Sequence, residues 1–429
     1  MSTQAADGIL SEAGWPWWAK GFGGGAGDTG GLASVTGVDL FAGRFEFPLM
    51  VLKDTALQHN ITVMAAYCAE QGVNLSPHAK TPLSPQVIKR QIAAGAWGMT
   101  VATVHQARVL RRSHIGRILL ANELLDGAGL RWVSRELAAD PRFDFYCLAD
   151  SAAAVSIMDR ALEEAGAARR VGVLVELGAG NGRCGCRAID EGYIVGEAVA
   201  GSRHLRLAGV ETYEAMVDAD ELGKRLGLMD QLLSDLRSLA SGLDQRGLFG
   251  GCEEIVVSAG GSMYLDRVTN VLAGPWTLSR PVRVVVRPGV YVAHDGAEYA
   301  RLSPFGERGT ASARLRQALE VWSSVLSVPE PGLCILGFGK RDVSHDRGFP
   351  MPFALRGAEG GPVLGLSGIE VLSLNDHHAR VAVPPGLSLA VGDMVGCHIS
   401  HPCTAFQNWH AVPVVDDDYR VREVAQSYL

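Results

Sequence analysis

Residues 171–177 read Val-Gly-Val-Leu-Val-Glu-Leu, and the chain then runs through glycines to Asn181-Gly182-Arg183-Cys184-Gly185. A short apolar run closed by a glycine-rich turn predicts a strand that ends in a loop. Upstream, Ala152–Glu164 has the pattern of a helix that stops near Gly166. Further runs of the same kind lie at 73–75, 98–102, 117–120, 143–148, 204–208 and 254–258. Helical stretches separate most of them. In one, Ser84 can cap, Pro85 suits the first turn, Val87, Ile88 and Ile92 share a face, and Gly95 can end it. Another lies within 219–239. Strand-helix alternation of this length predicts parallel pairing with right-handed crossovers. Seven strands and a fainter eighth near Val268–Leu272 predict a (β/α)8 barrel over residues 46–280.

Beyond about residue 280 the texture changes. Strand-like runs at 282–286, 290–293, 332–336, 369–374, 380–383 and 394–399 alternate with turns rich in Pro, Gly and Asp. They predict a mainly β domain over 281–429. Residues 1–45 form a glycine-rich arm. No strand precedes Gly21–Gly31, so these glycines do not read as a nucleotide loop. Trp15, Trp17 and Trp18 predict that part of the arm packs on the body.

The 429 residues are 47% hydrophobic and carry a formal charge of -7, which excludes a general nucleic-acid binder. No apolar run reaches membrane-span length and the N-terminus lacks the pattern of a signal peptide, so a cytoplasmic enzyme is expected. Eight scattered cysteines predict reduced thiols rather than a disulfide framework.

In such a barrel the functional groups follow the strands. Three segments qualify: Pro77-His78-Ala79-Lys80-Thr81, Asn181–Gly185 and Ser258-Ala259-Gly260-Gly261-Ser262. Paired glycines at a late strand end suit a phosphate, because bare backbone N–H groups can approach it. A lysine at one strand end and a phosphate cradle at another predict a phosphorylated carbonyl compound held as a Schiff base. Near the C-terminus, His401 and Cys403 offer an imidazole and a thiolate, a ligand mix that prefers zinc. A buried histidine beside a small apolar cysteine is the alternative. His377 and His378 are further candidates, at most one of them facing a site.

The run Phe47-Pro48-Leu49-Met50-Val51, then Asn60, then Pro77–Thr81, resembles the start of the D-threonine aldolase and D-serine dehydratase family. These are fold-type III pyridoxal phosphate enzymes with an alanine-racemase-like barrel. The order continues through Asn181–Gly185, Ser258–Ser262, Arg287-Pro288-Gly289-Val290-Tyr291 and His401-Pro402-Cys403, so the resemblance covers about residues 45–429. It implies that Lys80 carries pyridoxal phosphate and exchanges protons at Cα. It implies that Arg183 and Tyr213 lie near the ring, that Gly260, Gly261 and Ser262 hold the phosphate, and that His401 and Cys403 hold a divalent metal, zinc by ligand type. His378 stands in the family's acidic-acidic-His-Gly stretch, here Asp376-His377-His378-Ala379, and is expected to be catalytic. That stretch departs from the family pattern, as do Ser76 and Pro82-Leu83 around the lysine motif, which bears on substrate choice.

The expected activity is a metal-assisted dehydration of D-serine or a related β-hydroxy D-amino acid to a 2-oxo acid and ammonia. The partner is then a small D-amino acid, and a head-to-tail homodimer is implied by the resemblance. A D-threonine aldolase is the nearest alternative, but that branch typically has Asp where Cys403 stands. A non-catalytic pyridoxal phosphate carrier would need neither the β domain nor the His-x-Cys pair. An amino acid racemase would need a second acid/base and no metal.

Overall fold

The computed structural model describes residues 18–23, 34–309 and 311–429, and they form two compact units. Trp15, Trp17 and residues 24–33 of the expected arm lie outside the described residues. Trp18 is exposed and sits edge-on to His410, 4.7 Å between ring centres.

The first unit comprises Met64–Ala79 and Gln91–Gly289. Its eight strands are all parallel, in the order 74–75, 282–286, 255–259, 205–212, 171–177, 144–149, 117–123 and 99–101. The two ends of that order are joined by a bridge between His78 and Thr100. There Thr100 donates to Pro77 O at 2.8 Å, and Ala79 donates to Thr100 O at 2.7 Å. The barrel is thus closed by the backbone just past the two-residue strand Asn74–Leu75.

All seven residues of Val171–Leu177 are buried, as a strand covered on both faces must be. Leu119, Tyr146, Leu148, Leu174, Ala208, Val256 and Val285 form a core drawn from six of the strands. Gly209 is required where two strands nearly touch, because a Cβ there would fall 1.8 Å from Val256 O. Helices follow the strands, and three of them begin on capping side chains. Ser151 accepts from Ala154 N, Thr103 from Gln106 N and Asp126 from Gly129 N.

The second unit comprises the described residues up to Val63, Lys80–Arg90 and the described residues of Val290–Leu429. Its sheet has ten strands. The main path runs 364–365, 351–356, 394–398, 319–330, 49–53, 411–415 and 421–426, and a side branch adds 333–336, 379–382 and 370–374. The strand Leu49–Lys53 lies between 319–330, to which it is antiparallel, and 411–415, to which it is parallel. The core here is aromatic. Trp322 meets Phe41 and Tyr419 at 5.0 and 5.2 Å, and Glu320 is buried beneath them, accepting from Trp322 Nε1 and Tyr419 Oη.

Several sequence expectations are corrected. Val268–Leu272 is the end of a helix, Leu265–Leu272, and not the eighth barrel strand. That strand is Val282–Val286, expected in the β domain, which pairs with 255–259 and 74–75. The run 290–293 is a single helical turn, Val290–Val292. The boundary at residue 46 also moves, because Leu49–Lys53 finds its partners in the C-terminal sheet. In each case pairing decided what an apolar run alone could not. Among the described residues, no helix is long and apolar enough to cross a membrane.

Candidate active site

In the barrel unit, the loops after the strands carry five of the six residues expected to hold the cofactor. The Arg183 guanidinium lies 4.9 Å from the centre of the Tyr213 ring. Tyr213 also backs the glycine pair, since a Cβ on Gly261 would meet it at 3.0 Å. Gly260 has φ +96°, a conformation that favours glycine. Ser262 Oγ accepts from Gly289 N at 3.3 Å, which leaves its own proton to donate. The helix Leu265–Leu272 begins three residues later, so its N-terminal dipole adds to the attraction for an anion.

This donor set fits a phosphate and a planar ring. One group runs against expectation: Gly261 N donates to Glu214 Oε1 at 3.2 Å. Glu214 is fully buried, and among the described residues its Oε2 has no partner. Burial pushes its carboxyl up to about 7, with the Gly261 hydrogen bond opposing. A neutral carboxyl beside the cradle is compatible with a bound phosphate.

A buried network stiffens the barrel below this loop layer. Arg287 donates to Glu211, to Ser258 Oγ at 2.5 Å and to Thr212 O at 3.1 Å. Burial holds the Glu211 pKa above the ordinary carboxylate range, although Arg287 and Arg183 pull it down. Burial, then the charges of Glu211 and Glu123, push Glu176 up to about 9. Among the described residues, Glu123, Asp150 and Cys184 have donor atoms within 4.8 Å of one another. Asp150 Oδ2 is engaged by Gly185 N at 3.1 Å.

The second unit carries the expected lysine and the metal pair. Lys80 directly follows Ala79, the residue that closes the barrel, and its side chain is exposed. Thr81, its neighbour, is buried and donates its hydroxyl to Cys403 Sγ at 2.8 Å. His401 Nδ1 lies 2.7 Å from Asp346 Oδ2. Burial opposes the charged imidazole of His401, but the hydrogen bond with Cys403 and the charges of Cys403 and Asp346 outweigh it and raise the pKa.

A metal fits this pair. Asp346 occupies Nδ1 and leaves Nε2 for the ion, the usual arrangement behind a histidine ligand. Two protein ligands leave positions open for water or substrate, which suits a catalytic rather than a closed site. His378 is not brought to the pair. It sits exposed in the turn joining Glu370–Leu374 to Ala379–Ala382, with its carbonyl bonded to Asn375 N. Its neighbour His377 lies 3.8 Å from Asp342. Asp346, Glu214 and Glu211 carried no sequence signal of their own, and Thr81 and Arg287 stood out only as members of longer motifs. Their roles come from partners remote in the chain.

A barrel with a glycine-serine anion cradle, in a chain whose β unit carries the lysine and a His-x-Cys pair, defines a fold-type III pyridoxal phosphate enzyme, here a lyase. The family models agree: "Alanine racemase, N-terminal domain" matches residues 53–266, and "Putative serine dehydratase domain" matches 318–415. The chain belongs to the D-threonine aldolase and D-serine dehydratase family. It is 24% identical over 385 residues to a 3-hydroxy-D-aspartate aldolase of Paracoccus denitrificans (strain Pd 1222), covering 88% of this chain and 91% of the relative. It is 25% identical to the crystal structure of D-threonine aldolase from Filomicrobium marinum, with a TM-score of 0.72 and coverage of 89% and 95%. D-threo-3-hydroxyaspartate dehydratase from Delftia sp. HT23 shares the fold at 22% identity, with a TM-score of 0.66 and coverage of 89% and 97%. Solved forms of that dehydratase include a cysteine-to-alanine variant, metal-free, and a histidine-to-alanine variant, at positions two apart.

Proposed function

We propose that the chain is a metal-assisted dehydratase that converts D-serine, or a related β-hydroxy D-amino acid, to a 2-oxo acid and ammonia. One observation carries the reading: the hydrogen bond from Thr81 to Cys403 joins the chain neighbour of Lys80 to the His401–Cys403 pair. An amine whose chain neighbour touches the Lewis-acid site suits a reaction that removes a proton from Cα and a hydroxyl from Cβ. The His-x-Cys spacing also supports dehydration, since the dehydratase variants fall on a histidine and a cysteine two apart.

Pyridoxal phosphate, held by Lys80, Arg183, Tyr213, Gly260, Gly261 and Ser262, supplies an electron sink for charge developing at Cα. A divalent ion on His401 and Cys403, zinc by its ligands, supplies Lewis acidity toward a hydroxyl. Lys80 takes the Cα proton. Asp346 fixes the tautomer and direction of His401, and Thr81 steadies the Cys403 thiolate with a hydroxyl hydrogen bond. The Arg183 guanidinium, over the Tyr213 ring, orients the cofactor's ring face and keeps water from it. The active species is proposed to be a homodimer.

A second reading is retro-aldol cleavage, which the names of the aldolase relatives favour. D-threonine separates the two. Dehydration yields 2-oxobutyrate and ammonia, and cleavage yields glycine and acetaldehyde. We expect the first pair, with pyruvate and ammonia from D-serine. Glycine and acetaldehyde as main products overturn the dehydratase reading.

A further inference from the structure

We propose that Glu214 is a further ligand of the cofactor's phosphate, and that the cradle takes up a proton with the anion: Oε1 holds the glycine pair in place while Oε2 supplies an O–H donor. The inference rests on reading the glycine-serine loop as the phosphate site and deepens that reading. Strand register brings Glu214 to the loop. Leu205–Thr212 and Ile255–Ala259 pair in parallel, with Glu211 opposite Ser258. Three residues on from these stand Glu214 and Gly261, and Gly261 N donates to Glu214 Oε1 at 3.2 Å. That amide is one the loop would otherwise offer to a phosphate. Both oxygens of a carboxyl share one carbon, so Oε2 stands beside the same glycine pair. It is buried, and among the described residues it has no hydrogen-bond partner. A buried polar atom without a partner costs stability. An anion seated on the loop removes that cost when Oε2 carries a proton.

The surroundings favour the protonated form. Burial lifts the Glu214 pKa to about 7, opposed by the Gly261 hydrogen bond and by the charge of Arg287, while Glu211 on the preceding strand raises it. Residues Ala259–Ser262 carry no ionisable side chain. The helix that follows them has Asp266 in its first turn, a further negative charge. Tyr213, the chain neighbour, presents its ring to Gly261, with Arg183 over that ring. The helix Leu222–Gln245 packs on the turn Glu214–Met216 and buries no charged residue.

A phosphate ester near neutral pH carries close to two negative charges. Beside it an ionised Glu214 is repelled, whereas a neutral Glu214 donates. Above about pH 7 the seating of the anion therefore draws one proton from solvent onto Oε2. No bond to phosphorus forms or breaks.

Glu214→Gln discriminates, because its amide keeps an acceptor for Gly261 N and adds a permanent N–H donor for the anion. The probe is pyridoxine 5′-phosphate, which has the phosphate but no aldehyde to react with Lys80. It is titrated calorimetrically into the cofactor-free full chain. A group with a pKa of about 7 is roughly nine-tenths ionised at pH 8, so the wild-type Kd should rise about tenfold relative to the variant between pH 6 and pH 8. In buffers of different ionisation heat at pH 8, wild type should take up about one proton more than Glu214→Gln per probe bound. The probe's own protons cancel in that difference. Infrared difference spectra of wild type alone, at pH 8, should show a carboxylate band replaced by a protonated-carboxyl band when the probe binds, a readout that does not depend on the variant folding. Parallel pH profiles with equal proton uptake, or no new protonated-carboxyl band in wild type, overturn the role of Glu214 and leave the cofactor reading standing. Binding of the probe by neither protein at any pH overturns the cofactor reading, and this inference with it.

Discussion

The hydroxyl of Thr81 donates to Sγ of Cys403 at 2.8 Å, across 322 positions of chain. A sulfur that accepts such a bond is a better-positioned ligand, and outer hydrogen bonds of this kind typically change metal affinity 10- to 100-fold. Thr81→Val keeps the shape and removes the donor. We expect its metal affinity to fall about tenfold, measured by metal retained against graded chelator, while the absorbance of bound pyridoxal phosphate is unchanged. Unaltered metal affinity would show that the bond has no part in the site.

Lys80→Ala separates the lysine from the rest of the cradle. The variant should lose the adduct that borohydride traps on the wild-type chain. Trapping at another lysine would remove Lys80 from its role.

Asp346 acts on the other ligand. It helps to raise the pKa of His401, so protons compete for the ring up to a higher pH than for an ordinary histidine. Metal affinity should therefore fall as pH drops through that raised pKa. In Asp346→Asn the fall should shift to lower pH, because the neutral amide no longer stabilises the imidazolium. Metal affinity above that range should drop roughly 10- to 100-fold through lost orientation. Titrating metal binding from pH 5 to 8 checks both, and identical pH midpoints in the two proteins would refute the coupling.

Glu214 makes stability depend on pH with a definite sign. Its folded pKa is about 7, against a reference of 4.5. Between those values the folded chain keeps a proton that the unfolded chain has lost. Its contribution is complete below about 4.5 and is lost as pH rises through about 7. Glu214→Gln has no such proton. Relative to wild type it should gain roughly 1–3 kcal/mol at pH 8 and nothing near pH 4. Urea denaturation across that range decides, and parallel curves for the two proteins would count against it.

Arg287 and Glu211 form a buried pair, 5% and 2% exposed. Removing one partner strands the other charge away from water. Arg287→Met is expected to cost about 3–5 kcal/mol, and Arg287→Met with Glu211→Leu considerably less. Chemical denaturation of both variants measures the difference.

The barrel was readable because its strands are continuous apolar runs separated by helices with ordinary caps. Val171–Leu177 and Ala152–Glu164 stand in the structure where the pattern put them. The eighth strand was misplaced because Leu265–Leu272 has an apolar helical face that imitates a strand over five residues, whereas Val282–Val286 precedes the β region without a break in composition. The motif residues were visible as strand-end lysine, glycines and His-x-Cys. Their supports were not. Asp346 sits in the polar stretch Arg341–Arg347, where nothing in the local pattern sets it apart from Asp342, and only the fold brings it to His401. His378 stands out only by its position in a motif that this chain alters, and in its turn it is exposed.

The strand Leu49–Lys53 has consequences for how the chain is made. Both of its sheet partners, 319–330 and 411–415, emerge from the ribosome after the whole barrel. At about 5–20 residues per second, roughly 270 residues and 10–50 s separate this strand from its first partner. For that interval Leu-Met-Val-Leu-Lys is an unpaired apolar edge, open to wrong pairing with other nascent chains. The barrel can assemble meanwhile, since its strands lie between. Productive synthesis should therefore depend on a holding chaperone early in translation, and least on one after the last strand is out.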